Sequence, residues 1–515
     1  MPRINMWTDR QDKCEQAGNA GCFAISRPAR YPITQMASSF AEEANDSWQR
    51  WIESDPVVTT RGGGGGGRVL FIAYQFPPVG GSGVQRPAKL VKFLHTAGFD
   101  IEVLTAAHLR VPWIDPTLNR DIPPCVRVHR VAGYEPACMA ERVASALAGC
   151  WNRVFANARF PKQWLEDRIY WRLARWAARA GLGNGEPLWL GSAARAAVAM
   201  HRRRPFDVIV STGPPYFVHR VALRVSAETR LPWVADVRDP IVSDYDFGQP
   251  DVGYRTTMRR VERMILGRAS RIVTTSAALA DDFRARYPDR EASDIRTITN
   301  GFDRDDLRRE AAAFVRGATW HSNAERRCTF VAAGAFNGRN ELARLVDPMR
   351  DVLTRHPQWR GRVRLIVAGK LDGRQERHWQ RHRPEWMELR GYVDHGQAVE
   401  LVARSDAAVL MLPDCSHSRH CIPGKTFELI ALPAHVLALV PSRSETEGIV
   451  ARAGAATIAP LEDPARVETA VESVIARCLS GTLPRERTWS NLDRYDRRQL
   501  AADFGRCLHD AIRHG

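Results

Sequence analysis

Three short stretches of the 515-residue chain place side chains where they could do chemistry. In Gly424-Lys425-Thr426-Phe427-Glu428 a glycine and a lysine open a predicted helix that runs through Ala431. Lys425 and Glu428, three residues apart, share one face of it. Such a pair suits a ligand carrying both phosphates and hydroxyls: the lysine faces a diphosphate and the carboxylate accepts from ribose hydroxyls. Charge-assisted bonds of this kind contribute about 1.5–3 kcal/mol each. The competing reading is a surface ion pair of little energetic weight. Gly80, Gly81 and Gly83 precede a second predicted helix, beginning near Val84. Glycines there leave backbone N–H groups bare to receive a phosphate or a developing oxyanion. Taken alone, a glycine turn between strand and helix is usually only a turn. Arg238 and Asp239 follow an apolar run, 232–237, and Asp239 could position an acceptor hydroxyl or take its proton. Asp236 and His219 are lesser candidates, since an unpaired histidine is more often structural.

Several look-alike motifs are excluded by their spacing. The glycines at 81 and 83 do not make the dinucleotide fingerprint, because Arg86 stands where its third glycine belongs. Gly424-Lys425-Thr426 mimics the end of an ATP-binding phosphate loop, but position 419 is arginine where that loop requires glycine. Cys415, His417, His420 and Cys421 put four potential metal ligands within seven residues. Their spacing matches no zinc finger and would strain a tetrahedral shell, so no metal is expected there.

The elements that must position these residues form two parallel-sheet domains. Residues 1–67 lack periodicity and end in six glycines, Gly62 to Gly67, which reads as a disordered leader. From Arg68 the pattern is strand, glycine loop, helix, strand. Strands are predicted at 68–74, 100–106, 207–212, 232–237, 270–276 and 295–299. A Trp- and Arg-rich tract, 138–180, reads as amphipathic helices over the sheet. The alternation restarts with strands at 328–334, 363–369, 387–393, 407–412, 435–440 and 456–460. The expected division is 68–308, 309–490 and a closing helix in 491–515. Two such domains enclose a cleft between the carboxyl ends of their strands, where α/β sheets bind ligands.

At this point specific residues carry a family likeness. Tyr74-Gln75-Phe76-Pro77-Pro78-Val79-Gly80-Gly81, followed by Gly83-Val84-Gln85-Arg86-Pro87, resembles the first loop of bacterial family-4-like glycosyltransferases. Ser211-Thr212-Gly213-Pro214-Pro215 and Ala235-Asp236-Val237-Arg238-Asp239-Pro240 are similar to that group's next two cleft loops. Asn300-Gly301-Phe302-Asp303 resembles its end-of-domain signature, and Ile422 to Glu428 its donor-binding helix start. The likeness runs from about residue 68 to the carboxyl terminus, with the motifs in order.

The resemblance implies an α/β fold of the GT-B type, two Rossmann-like domains facing each other across a cleft. It implies an acceptor domain followed by a donor domain, and transfer of a sugar from a nucleoside-diphosphate donor with retention. Glu428 matches the second glutamate of the family's Glu-x7-Glu motif, while His420 replaces the first. Arg339 stands at the place of the family's diphosphate-binding basic residue, with Lys370 a second candidate. Gly391-Tyr392-Val393 ends a strand where the family contacts the base. The family generally needs no metal, so Asp244-Tyr245-Asp246 is set aside as a metal motif, and the nucleotide-sugar is a co-substrate rather than a cofactor. A glycan or polyprenyl-linked acceptor, as in surface polysaccharide synthesis, is the expected partner. The rival readings are a nucleotide-sugar epimerase on the same fold and a silent relative that binds nucleotide-sugar or glycan.

Bulk properties bound these readings. A composition 44% hydrophobic and 26% charged is that of a globular protein. The net charge of +16 favours anionic partners, and an anionic inner leaflet would be one. No nucleic-acid module is recognisable. The chain shows no apolar run of about 18 residues, no signal pattern and ten cysteines without CxxC spacing. Those features point to the cytoplasm, with peripheral membrane contact at most.

Overall fold

The computed structural model describes residues 45–54, 66–107, 114–132, 186–242, 252–316, 327–336 and 341–514. Its frame is two all-parallel sheets of seven and six strands. The first contains β1 (Arg68–Ala73), β2 (Asp100–Ala107), β3 (Arg127–Ala132), β4 (Val208–Gly213), β5 (Trp233–Val237), β6 (Arg271–Thr274) and β7 (Ile295–Thr297). Their spatial order is β3-β2-β1-β4-β5-β6-β7. The second contains β8 (Cys328–Phe336), β9 (Val363–Leu371), β10 (Met387–Gly391), β11 (Ala407–Met411), β12 (His435–Leu439) and β13 (Ala456–Ala459). Its order is β10-β9-β8-β11-β12-β13. Each sheet reverses its winding once, between β1 and β4 and between β8 and β11. A crevice opens at such a switch point, beyond the strands' carboxyl ends.

The sequence forms these strands because both faces of each sheet are covered. β1, β4, β5, β11 and β12 are buried at every residue, which is why they read as unbroken apolar runs. One face of the first sheet packs Trp189, Phe217 and Trp233, and the other packs Phe71, Phe93 and Phe99. One face of the second sheet packs Leu345, Met349, Trp379 and Val474; Phe427, Val450 and Trp489 lie on the other. Every strand segment read from the sequence lies in one of these sheets. The additional strand is β3, an edge strand that carries Arg127, His129 and Arg130 and has no fully buried position.

The chain passes between the domains near Phe302 and again near Asp496, and these two crossings are bonded together. Phe302 N–H donates to the Tyr495 carbonyl at 3.1 Å, and Arg497 N–H donates to the Phe302 carbonyl at 2.9 Å. Glycine is required at 301, where a Cβ would lie 2.1 Å from the Tyr495 oxygen. The helix Arg304–Arg316 already belongs to the second domain, since Leu307 and Ala311 join its core. The crossing therefore falls at Phe302–Asp303, slightly before the expected boundary at 308. The last helix, Arg497–His514, returns to the first domain, where Phe504 and Leu508 pack beside Phe99.

The reading of residues 1–67 as a disordered leader is corrected over 45–54. Residues 45–53 are helical, and Trp48 and Ile52 are fully buried in the second domain's core. Trp48 Nε1 donates to the Ala431 carbonyl at 2.8 Å and Trp51 Nε1 to Asp493 Oδ1 at 2.8 Å. Trp51 also stacks on Trp489, with ring centroids 5.2 Å apart, and lies under the Arg304 guanidinium. Two indoles and an isoleucine on one helical face bury enough apolar area to fix so short a helix. The tract 138–180, the Asp244-Tyr245-Asp246 motif and Arg339 fall outside the described residues.

Candidate functional site

On the second-domain side, three candidates come together around the carboxyl end of β8. Lys425 reaches back along the helix Gly424–Ile430 so that its Nζ donates to the Ala333 carbonyl at 3.2 Å. It lies against Gly334, where φ is +134° and a Cβ would stand 3.2 Å from the amine. β8 and β9 also approach closely here, since a Cβ on Gly369 would lie 1.8 Å from the Gly334 oxygen. No carboxylate pairs with the Lys425 ammonium among the described residues, and burial lowers its pKa to about 8. A partly buried cation with one hydrogen bond and no counter-charge among the described residues is a site that an anion would stabilise.

One helical turn on, Glu428 accepts from His395 Nε2 at 3.0 Å. Burial opposes the charged imidazole, but the charge and hydrogen bond of Glu428, with Asp306 behind, raise His395 to about pKa 9. The Glu428 carboxyl is held below its ordinary range, because His395, Arg497 and Lys89 outweigh its own burial. His395 gave no signal in the sequence: it follows the β10 loop and meets Glu428 only in the folded domain.

Lys370 and Tyr392 occupy a different place. They line a cavity of about 1430 Å3 along β9 and β10, together with Arg381, Arg383 and Arg390, and neither Lys425 nor Glu428 is part of its wall. Tyr392 crosses the cleft, and its hydroxyl would lie 2.8 Å from a Cβ on Gly80. Ile114, also exposed, faces the same cavity from the first domain.

On the first-domain side, Gly81 adopts φ +105° as the residue before the helix Ser82–Thr96, with no side-chain cap on that helix. The glycine loop is held from beneath by Arg238. Its Nε donates to the Gly213 carbonyl at 3.0 Å, and its two terminal nitrogens donate to Gly83 and Pro214 carbonyls. A guanidinium committed to three backbone oxygens fixes loops; it is a positioning residue, a correction to the expectation that it is catalytic. Asp236 is likewise internal, gripped by Arg86 at 2.7 Å and by Thr212 at 2.7 Å. Despite full burial, Arg86 keeps its carboxyl below the usual range. His219 is buried under Gly213 and hydrogen-bonded to Ser211, and burial lowers its pKa to about 3, which keeps it neutral.

Asp239 faces across the cleft rather than into its own domain. Its Oδ1 accepts from Cys421 Sγ at 3.0 Å, and His417 lies beside them. The domains meet here through further bonds. Ser276 Oγ donates to the His420 carbonyl at 2.5 Å, and Glu445 accepts from the N–H groups of Ala277 and Ala278 at 3.1 and 2.9 Å. His420 turns its ring back on its own helix, with Nδ1 against the Ser416 carbonyl at 2.8 Å.

This architecture has well-defined counterparts. Residues 167–306 match the family model described as Glycosyltransferase Family 4. Over that stretch the first domain is similar to family-4 glycosyltransferases. Among solved structures, the UDP-forming α,α-trehalose-phosphate synthase of Burkholderia vietnamiensis is similar, with TM-score 0.56 and 14% identity, over 87% of this chain and 100% of that one. The trehalose-6-phosphate phosphatase N-terminal domain of Candida albicans gives TM-score 0.55 and 10% identity, over 89% and 98%. The α,α-trehalose 6-phosphate synthase of Burkholderia multivorans gives 0.53 and 13%, over 86% and 98%. At these identities the likeness is one of fold, the GT-B arrangement of two Rossmann-like domains. No curated protein matches the sequence.

The second-domain residues expected from the sequence divide into two groups. Lys425, Glu428 and Gly424 stand together on the helix Gly424–Ile430, with Lys425 against the carboxyl end of β8. Lys370 and Tyr392 lie along the neighbouring sheet edge. Among the described residues, no helix is long and apolar enough to cross a membrane.

Proposed function

We propose that the protein transfers a sugar from a nucleoside-diphosphate donor, held by the second domain, to a glycan or lipid-linked acceptor presented by the first. The observation that carries this reading is Lys425, a partly buried ammonium with one hydrogen bond among the described residues and no carboxylate beside it. A diphosphate supplies the missing charge, and an ammonium placed there stabilises the leaving group as negative charge grows on it. Glu428, ordered by His395, has a second carboxylate oxygen for ribose hydroxyls. The glycine loop Gly80–Gly83 offers backbone N–H groups from the opposite wall, and Tyr392 closes over it.

The chemistry needs no dedicated base. With the donor phosphate on the same face as the incoming hydroxyl, the leaving phosphate oxygen takes the acceptor proton, the bond to the anomeric carbon re-forms on that face, and configuration is retained. Arg238 and Asp236 act indirectly by fixing the loops that shape the acceptor wall. Surface polysaccharide assembly is the setting that fits a chain with a net charge of +16 and a lipid-linked acceptor at an anionic leaflet.

The test is turnover. Purified protein is supplied with UDP-, GDP-, dTDP- and ADP-sugars and membrane or glycan extracts, and nucleoside-diphosphate release is followed with the anomeric proton signals of product. Acceptor-dependent release of one nucleotide, abolished in Lys425→Ala, supports transfer. Epimer or free sugar formed without acceptor would replace it with epimerase or hydrolase chemistry, and donor binding without turnover would make the protein a silent relative.

A further inference from the structure

We propose that the protein binds one zinc-type divalent ion between its two domains, on Asp239, His417 and Cys421. Oxygen, nitrogen and sulfur ligand atoms of these three side chains all lie within 4.8 Å of one another. The closest measured pair, Cys421 Sγ and Asp239 Oδ1, is 3.0 Å apart. Tetrahedral zinc with bonds of about 2.0–2.3 Å sets its ligands about 3.3–3.8 Å apart. Small side-chain rotations therefore close the set around an ion.

The local sequence argued against a metal because four ligands within seven residues would strain the shell. The fold removes that objection. His417 and Cys421 sit at the two ends of one short turn, Ser416–His420 and its following residue, and the third ligand arrives from the other domain. Their neighbourhood is held independently of any ion: Ser276 bonds to the His420 carbonyl and Glu445 caps the helix Ala277–Arg286. The ligand set is preorganised by contacts that the metal itself does not make.

Ligand chemistry selects the ion. Thiolate with imidazole and carboxylate suits zinc and its borderline-soft neighbours, whereas magnesium and calcium require an oxygen shell. The other converging acidic group, Asp121, Asp303 and Asp306, shows the contrast. Its cation is already in place, since Lys89 Nζ lies 2.7, 2.6 and 2.7 Å from the three carboxylates. Three protein ligands on the Asp239 site leave one position for water or an anionic oxygen. An ion there would staple the domains in the closed arrangement, and Asp239 would be a ligand rather than a base.

Cobalt(II) alone, which takes zinc sites and reports its ligands by colour, is the probe. It is titrated into metal-stripped full-length protein carrying Cys125→Ser, which removes the exposed thiol next to His95. The expected result is saturation at one equivalent, with four-coordinate visible bands and a thiolate charge-transfer band. Cys421→Ser should abolish the charge-transfer band; His417→Ala and Asp239→Asn should each weaken binding at least tenfold, with folding of every variant checked by circular dichroism. Absence of the thiolate band overturns the proposal. So does a band that survives Cys421→Ser, or undiminished affinity in Asp239→Asn, which would mean a chelate confined to the second domain. Donor binding by Lys425 is read separately, by calorimetry, so failure of either leaves the other standing.

Discussion

At the scale of single residues, two partly buried ionisable groups have opposite habits. Lys425 is a cation with no carboxylate beside it among the described residues, its pKa lowered to about 8 by burial. A bound diphosphate would raise that pKa, so binding takes up a proton and donor affinity falls as pH rises through about 8. Calorimetry in buffers of differing ionisation enthalpy at pH 7 and 9 should show this uptake, and Lys425→Met should remove it. His395 is the reverse, a histidine raised to about 9 by Glu428. Its contribution to stability, on the order of 3 kcal/mol, is fully present below pH about 6.5 and lost as pH rises through about 9. Urea midpoints measured between pH 6 and 9.5 should fall over that window in the wild type. In His395→Gln the same curve should be flatter and lower at pH 6. The place of Lys425 and Glu428, one turn apart at a helix start, was legible in the sequence because helix geometry fixes that spacing. His395 was not, because its partner lies 33 residues away and the two meet only in the folded domain. The task of Arg238 was also hidden: sequence shows a charge beside a cleft, but not three backbone carbonyls aimed at it.

At the scale of elements, the strands were legible because parallel sheets covered on both faces demand continuous apolar runs, and such runs stand out. β3 was missed for the complementary reason. Its Arg127-Val128-His129-Arg130 alternation belongs to a sheet edge, where Arg127 and His129 answer the buried Glu102 of β2. The helix 45–53 was missed because the glycine run after it dominated the reading, although Trp48, Trp51 and Ile52 have the three-and-four spacing of a buried face. This helix makes a stability claim that a leader would not. Trp48→Ala removes a fully buried indole and its bond to Ala431, and should cost about 3–5 kcal/mol. Chemical denaturation should show that loss in the unfolding of the second domain. A variant as stable as wild type would return residues 45–54 to the status of a dispensable leader.

At the scale of the whole molecule, two of the chain's crossings between the domains are bonded side by side, with a cluster of charge next to them. Lys89, on the helix Ser82–Thr96 and almost fully buried, ties the first domain to Asp303 and Asp306 at the start of the second. Lys92 adds a further bond to Asp303 at 2.7 Å. Removing one member leaves buried carboxylates uncompensated, so Lys89→Ala should destabilise by about 3–5 kcal/mol, read by thermal unfolding. Two domains facing one another were legible from the repeated alternation of strand and helix. The exchange at the end was legible only in part: a closing helix was expected, but not that it returns to pack on the first domain.

The central claim is that the second domain's switch point is a nucleoside-diphosphate site built on Lys425 and Glu428. Isothermal calorimetry of the wild type against UDP-, GDP-, dTDP- and ADP-sugars, with Lys425→Met alongside, tests it most directly. The account predicts saturable one-site binding of one diphosphate class, weakened about 10–100-fold by the substitution, as expected from losing one charge-assisted bond. Binding of equal strength in wild type and Lys425→Met, or no binding of any donor by folded wild-type protein, would contradict it.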